Sequence, residues 1–181
     1  MKYGLLAFLV AGLAACSTGY DPDSPEVKGD SPDQNRRVRE AKATFLRADP
    51  GLKRFFDKSY GYAIYPKVGK GGLIIGGAHG DGVVYEQGKL IGSSELTQAT
   101  IGAQIGAQSF SEVIFFRDAG VLAQFKRGEW RAGAQASAVI AKDGASADAD
   151  YRNGVAIFTA GNEGAMAEAS VGGQQFTFEA H

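Results

Sequence analysis

The chain is poor in residues that do nucleophilic or acid–base chemistry. It holds one cysteine and two histidines, His79 and His181. His79 stands beside Gly80-Asp81, and His79 with Asp81 could form half of a metal site. No further His or Cys completes a ligand set, so no metal is expected. The nucleophile-elbow pattern Gly-x-Ser-x-Gly is absent, and no spacing of Ser, His and Asp singles out a triad. The glycine run Gly69-Lys-Gly-Gly72, followed by Gly76-Gly77, looks at first like a phosphate loop. Gly71 follows Lys70 where Ser or Thr is needed, and position 74 is Ile, so both nucleotide templates fail. A structural turn is expected instead. Lys67 and Lys70 would then flank backbone N–H groups able to hold a phosphate head group without forming a nucleotide site. The reading is a non-enzyme that needs no cofactor.

The cysteine carries a different kind of chemistry. Met1-Lys2-Tyr3 has one positive side chain, Gly4 to Ala15 is uncharged and apolar, and the run ends Leu13-Ala14-Ala15-Cys16. That run has the length of a signal-peptide core, whereas a membrane-spanning helix needs about 20 residues. The final four residues resemble the bacterial lipobox, in which the thiol is acylated and cleavage leaves the cysteine first. Cys16 is therefore the expected lipidation site, carrying palmitate and related chains, and residues 1–15 the expected signal peptide. Ser17 comes next, where an aspartate would resemble an inner-membrane retention signal. The expected location is the outer membrane, facing the periplasm. With no second cysteine, no internal disulfide is available in that oxidising compartment.

Residues 16–35 read as a lipidated, disordered tether, rich in Pro, Gly and acidic side chains. Residues 36–181 read as one domain. Net charge is −1 overall, but it is unevenly spread. Residues 36–70 carry Arg36, Arg37, Arg39, Lys42, Arg47, Lys53, Arg54, Lys58, Lys67 and Lys70 against Glu40, Asp49 and Asp57. The acidic balance lies beyond residue 70. A basic front suggests an anionic partner, though a solvated helix surface would read the same way. Nucleic acid is excluded, because the basic segment lacks an aromatic stacking platform and the compartment is wrong.

Elements must position these charges. Val38, Ala41, Phe45 and Ala48 recur at helical spacing over 34–48, and Asp49-Pro50 ends that helix and opens a second one to about Lys58. Their Phe side chains are expected to pack on the rest of the domain. From Tyr60 the period changes to strands: Tyr60–Tyr65 ending at Pro66, Gly72–Ala78, Gly82–Gln87 and Lys89–Ser93, with turns at Asp81-Gly82 and Gln87-Gly88. Thr97–Arg117 reads as strand with a bent glycine-bearing section, and residues 118–127 as a short helix. Trp130–Ala141 alternates like a strand. Asn153–Ala160 and Met166–Glu179 read as the closing strands, with a hairpin at Asn162–Gly164. The fold class is α+β, mainly β. Two N-terminal helices precede a strongly curved, glycine-rich antiparallel sheet or barrel with one further short helix.

Ala41-Lys42, Phe45-Leu46, Asp49-Pro50, Tyr60-Gly-Tyr-Ala-Ile-Tyr-Pro66, Val68-Gly-Lys-Gly-Gly72 and Gly76-Gly-Ala-His-Gly80 together resemble the bacterial branch of the SYLF family. So do Gly82-Val-Val-Tyr85, Gly102-Ala-Gln-Ile-Gly-Ala-Gln108 and Phe115-Phe-Arg-Asp118. The similarity spans roughly residues 38–180. It implies lipid binding: eukaryotic members bind phosphoinositides and other acidic lipids, some bind actin, and bacterial members look like exported lipoproteins. The accessory signalling domain of eukaryotic members is missing here, and no residue carries actin binding over. The expected partners are the membrane, through acylated Cys16, and acidic phospholipids, with Lys67, Lys70, Lys53, Arg54 and Lys58 engaging head groups. The alternative is an envelope structural module whose basic face meets a protein.

Overall fold

A computed structural model of the protein describes residues 31–72, 75–101, 108–130, 138–161 and 173–181. Residues 1–30, which include Cys16, the expected signal peptide and most of the expected tether, lie outside the described residues; residues 32–35, read as the end of the tether, instead begin the first helix.

Helix α1 (Pro32–Ala48) starts because Ser31 Oγ accepts from the Gln34 N–H at 3.1 Å and Pro32 occupies the first turn. Val38, Ala41 and Phe45 form its buried stripe. Asp49 ends it. One Asp49 carboxylate oxygen accepts from Gly51 N at 2.9 Å and the other from Ser146 N at 2.6 Å. The chain then tightens into a 3-10 turn, Pro50–Leu52, before α2 (Lys53–Lys58). Phe45, Leu52 and Phe55 are buried, so the helices pack onto the sheet as their aromatic content required.

The sheet contains β1 (Gly61–Gly72), β2 (Ile75–Glu86), β3 (Lys89–Ile101), β4 (Gln108–Phe116), β5 (Ala138–Ile140), β6 (Val155–Gly161) and β7 (Gln174–Ala180). The spatial order is β5-β6-β4-β1-β2-β3-β7. Every pairing is antiparallel except β5 with β6, which is parallel. Helix α3 (Ala119–Lys126) comes after β4, capped by Asp118, whose carboxylate accepts from Val121 N at 3.1 Å. The α+β, mainly β class holds.

Several boundaries differ from the sequence reading. β1 does not stop at Pro66 but runs on to Gly72. The registers with β2 and β4 both slip around Pro66, so the residue without an N–H sits in a bulge, where a proline is tolerated. Gly69–Gly72 is strand, not a turn. Asp81-Gly82 is also inside a strand, opposite Glu95 and Ser94. Gly82 is glycine because the Tyr65 ring lies over it: a Cβ there would come within 2.4 Å of that ring. The turn at Gln87-Gly88 is real, with φ of 49° and 79°, the primed geometry that suits a two-residue hairpin. β6 and β7 are not a hairpin pair. β6 adds to β4 and β7 to β3, on opposite sides of the sheet, and residues 162–164 lie outside the described residues.

The sheet is strongly curved but not closed. Three strands separate β4 from β7, which at about 4.8 Å per spacing would put them roughly 19 Å apart in a flat sheet. Yet Gln174 on β7 bonds Glu112 on β4 at 3.0 Å, and the Tyr65 and Phe176 ring centres are 5.9 Å apart. The concave face holds one apolar core, including Tyr65, Ile114, Phe116, Ile157 and Phe176, with Leu122 and Phe125 of α3 and Trp130 packed into it. The convex face holds the other, including Ile64, Val113, Phe115 and Phe158 beneath α1 and α2.

Candidate functional site

The bulge at Pro66 sets the phase of the remainder of β1. Lys67 pairs with Asp81, Val68 with Gly80, Gly69 with His79 and Lys70 with Ala78. Side chains alternate along a strand, so Lys67 and Lys70, three apart, point to opposite faces. Val68 is buried in the concave core, which puts Lys67 on the convex side with α1. There Lys67 joins Arg37 and Gln34 of α1 and His79 and Asp81 of β2 around a groove of about 220 Å³. Gly69 and Gly80 supply its bare floor. A Cβ on Gly69 would meet only a carbonyl 3.9 Å away, and one on Gly71 would meet nothing, so this stretch leaves backbone open to the surface.

The groove is mixed in charge but leans basic. Arg37 is partly engaged, reaching Asp33 one helical turn back at 2.8 Å. His79 Nε2 stands 3.9 Å from Asp81 Oδ1, and both side chains are well exposed. Among the described residues no three His, Cys, Asp or Glu side chains gather into a metal-holding group. Such a surface can hold an anion through ammonium, guanidinium and imidazole groups. It offers no nucleophile paired with a base.

The other expected head-group residues are placed differently. Lys53 pairs with Asp57 on the same helix. Arg54 turns inward over the Phe55 ring, 4.9 Å away, and donates to the carbonyls of Ser146, Ala147 and, at 3.0 Å, Ala149. Its guanidinium is occupied in holding the loop after β5 against α2. Lys58 lines a separate groove of about 560 Å³ with Arg54, Arg117 and Tyr151, where Asp148 and Asp150 balance the charge. Lys70 is half-buried on the opposite face from Lys67. The glycine run is laddered on both sides at Lys70, with Ala78 of β2 and Gln108 of β4, so it offers no loop of free N–H groups.

Two groups of polar residues were not singled out by sequence. Glu86 accepts from Tyr60 at 2.8 Å and from Lys126 at 2.7 Å, tying α3 to the β1–β2 hairpin. Lys126, then the Tyr60 hydroxyl, hold the Glu86 carboxyl below its ordinary range. Glu112, Thr159 and Gln174 are buried on the concave face. The signal for Glu112 was available: Phe110, Glu112, Ile114 and Phe116 alternate onto one face, and a carboxylate interrupts an otherwise apolar row.

No model of a known protein family matches the chain. The chain is similar to Beta cell expansion factor A from Aeromonas veronii, with 30% identity over 129 residues, covering 70% of this chain and 49% of that protein. It thus spans about half the length of the curated relative it matches, and the resemblance is one of sequence across most of the folded region.

Proposed function

We propose that the protein is a lipid-anchored, non-enzymatic module of the outer membrane, of SYLF type, that binds acidic phospholipid head groups in the groove between α1 and the β1–β2 hairpin. The observation that carries the reading is the convergence of Lys67, Arg37 and His79, from three different elements, on one open groove with a glycine floor. Each basic side chain at an anionic surface contributes about 1 kcal/mol, screened by salt. Acyl chains on Cys16 would supply the anchorage, so the groove needs only modest affinity to orient the domain or choose a lipid.

Vesicle co-sedimentation of the chain from Ser17 onward, which carries no acyl chain, tests this. Binding to phosphatidylglycerol or cardiolipin vesicles and not to phosphatidylcholine vesicles is expected. Lys67→Glu with Arg37→Glu should abolish it, while Lys53→Glu, which alters a side chain already paired to Asp57, should change it little. Equal binding to neutral and anionic vesicles, or indifference to the double change, would refute the assignment.

A further inference from the structure

The concave face contains a polar arrangement that the groove does not use. Glu112 and Gln174 are fully buried and Thr159 is 1% exposed. Gln174 Nε2 donates to Glu112 Oε2 at 3.0 Å. Three buried atoms lack a hydrogen-bond partner among the described residues: Glu112 Oε1, Gln174 Oε1 and Thr159 Oγ1. Two of these are the remaining oxygens of one bonded pair. If Glu112 is a carboxylate, both oxygens are acceptors with nothing to accept, and leaving buried polar groups so is costly. One proton resolves both. Placed on Glu112 Oε1, it makes that oxygen a donor, and Gln174 Oε1 is the vacant buried acceptor on the bonded partner, the complement that a cyclic two-point pair of carboxylic acid and primary amide requires.

The surroundings favour the acid. Glu112 faces Tyr65 on β1 and Thr159 on β6 as direct strand partners, and Gln174 on β7. The Tyr65 hydroxyl is engaged with Ser94 at 2.7 Å and is held protonated by burial. The basic residue in the last turn of α3, Lys126, is turned to Glu86. No described Lys, Arg or His stands against Glu112. Burial pushes its carboxyl up to about 7, against the opposing effect of the Gln174 amide.

We propose that Glu112 is held as a neutral acid paired at two points with Gln174, and that this pair is a proton-operated latch fastening β7 to β4 across the concave face. Loss of the proton to water removes one of the two bonds and leaves an unmatched charge inside the sheet. The Gln174 Nε2 bond to Glu112 Oε2 remains, but the buried charge favours any opening that lets water reach it, and β7 loosens from the interior. Tyr65, Trp130 and Phe176 are the apolar surface this uncovers.

Hydrogen exchange on the full chain, read by mass spectrometry and normalised to a peptide from β1, tests the latch. Protection of a peptide spanning Gln174–Ala180 should fall about tenfold between about pH 6 and about pH 8, the change that one unit of proton linkage gives. Glu112→Gln preserves a two-point amide–amide pair and has no proton to lose, so its β7 protection should be the same at both pH values. An equal fall in wild type and E112Q would overturn the proposal, as would a β7 segment already unprotected at the lower pH in E112Q. The infrared carboxylic-acid band of wild type gives a second readout that does not depend on the variant folding. A buried acid band should be present at about pH 6 and fade toward about pH 8, and its absence at the lower pH would equally refute the latch.

Discussion

At the scale of single residues, Asp49 ties the turn after the first helix to a loop far along the chain. Its two oxygens accept from Gly51 on one side and from Ser146, 97 residues later, on the other. Asp49 and Ser146 are each 1% exposed, so the Ser146 N–H has no water to fall back on, whereas Gly51 is exposed. Asp49→Ala strands the buried Ser146 N–H and should cost about 3 kcal/mol, taking a charged hydrogen bond and a buried unpaired group together. Asp49→Asn keeps one acceptor and should recover part of that. Chemical denaturation of the three proteins checks the order. Gly51 shares the constraint, since a Cβ there would lie 2.3 Å from Ser146 Oγ.

Elements show where a glycine is needed and where it is merely present. The same residue type sits at Gly82, under the Tyr65 ring, and at Gly71, with open space around it. Gly82→Ala should destabilise by about 1–3 kcal/mol, because the strand and the ring cannot both stay. Gly71→Ala should be neutral or slightly stabilising, since it adds a side chain to a strand at no steric cost. Thermal melts of the pair separate the two roles. This ambiguity is why the sequence was only partly legible. The helices were readable from the spacing of Val38, Ala41 and Phe45, and the Gln87-Gly88 hairpin from its turn chemistry. Asp81-Gly82 carries the same turn chemistry but owes its glycine to a neighbour across the sheet. The pairing of β6 with β4 and of β7 with β3 is set by contacts far apart in sequence. So is the groove: Lys67 could be picked from its own surroundings, but Arg37 joins it only through the packing of α1. Lys70 was separated from it by strand alternation once the glycines proved to be strand.

For the whole molecule the buried acid makes stability a function of pH. The Glu112 carboxyl has an ordinary value near 4.5 when unfolded and stands at about 7 in the fold. The folded state therefore binds the proton more tightly. This contribution is complete below about 4.5, declines as pH rises through the window to about 7, and is gone above it, a total on the order of 3 kcal/mol. Unfolding titrations across that window should show the decline in wild type and its absence in E112Q, against a shared background from other groups. A wild type whose stability rises through the same window relative to E112Q would reverse the sign and show the carboxylate to be the native form.

The strong curvature also sets a timetable. Tyr65, near the beginning of the sheet in chain order, makes its ring contact with Phe176 on the seventh strand, and Glu112 waits 62 residues for Gln174. Contacts of such long separation are slow to form, because the intervening chain must be ordered first. A chain emerging from its beginning could assemble α1, α2 and the β1–β2 hairpin early. The interior would stay uncovered until β7 had been made and had wrapped round. During that interval the apolar concave face is the part of the molecule most in need of a chaperone.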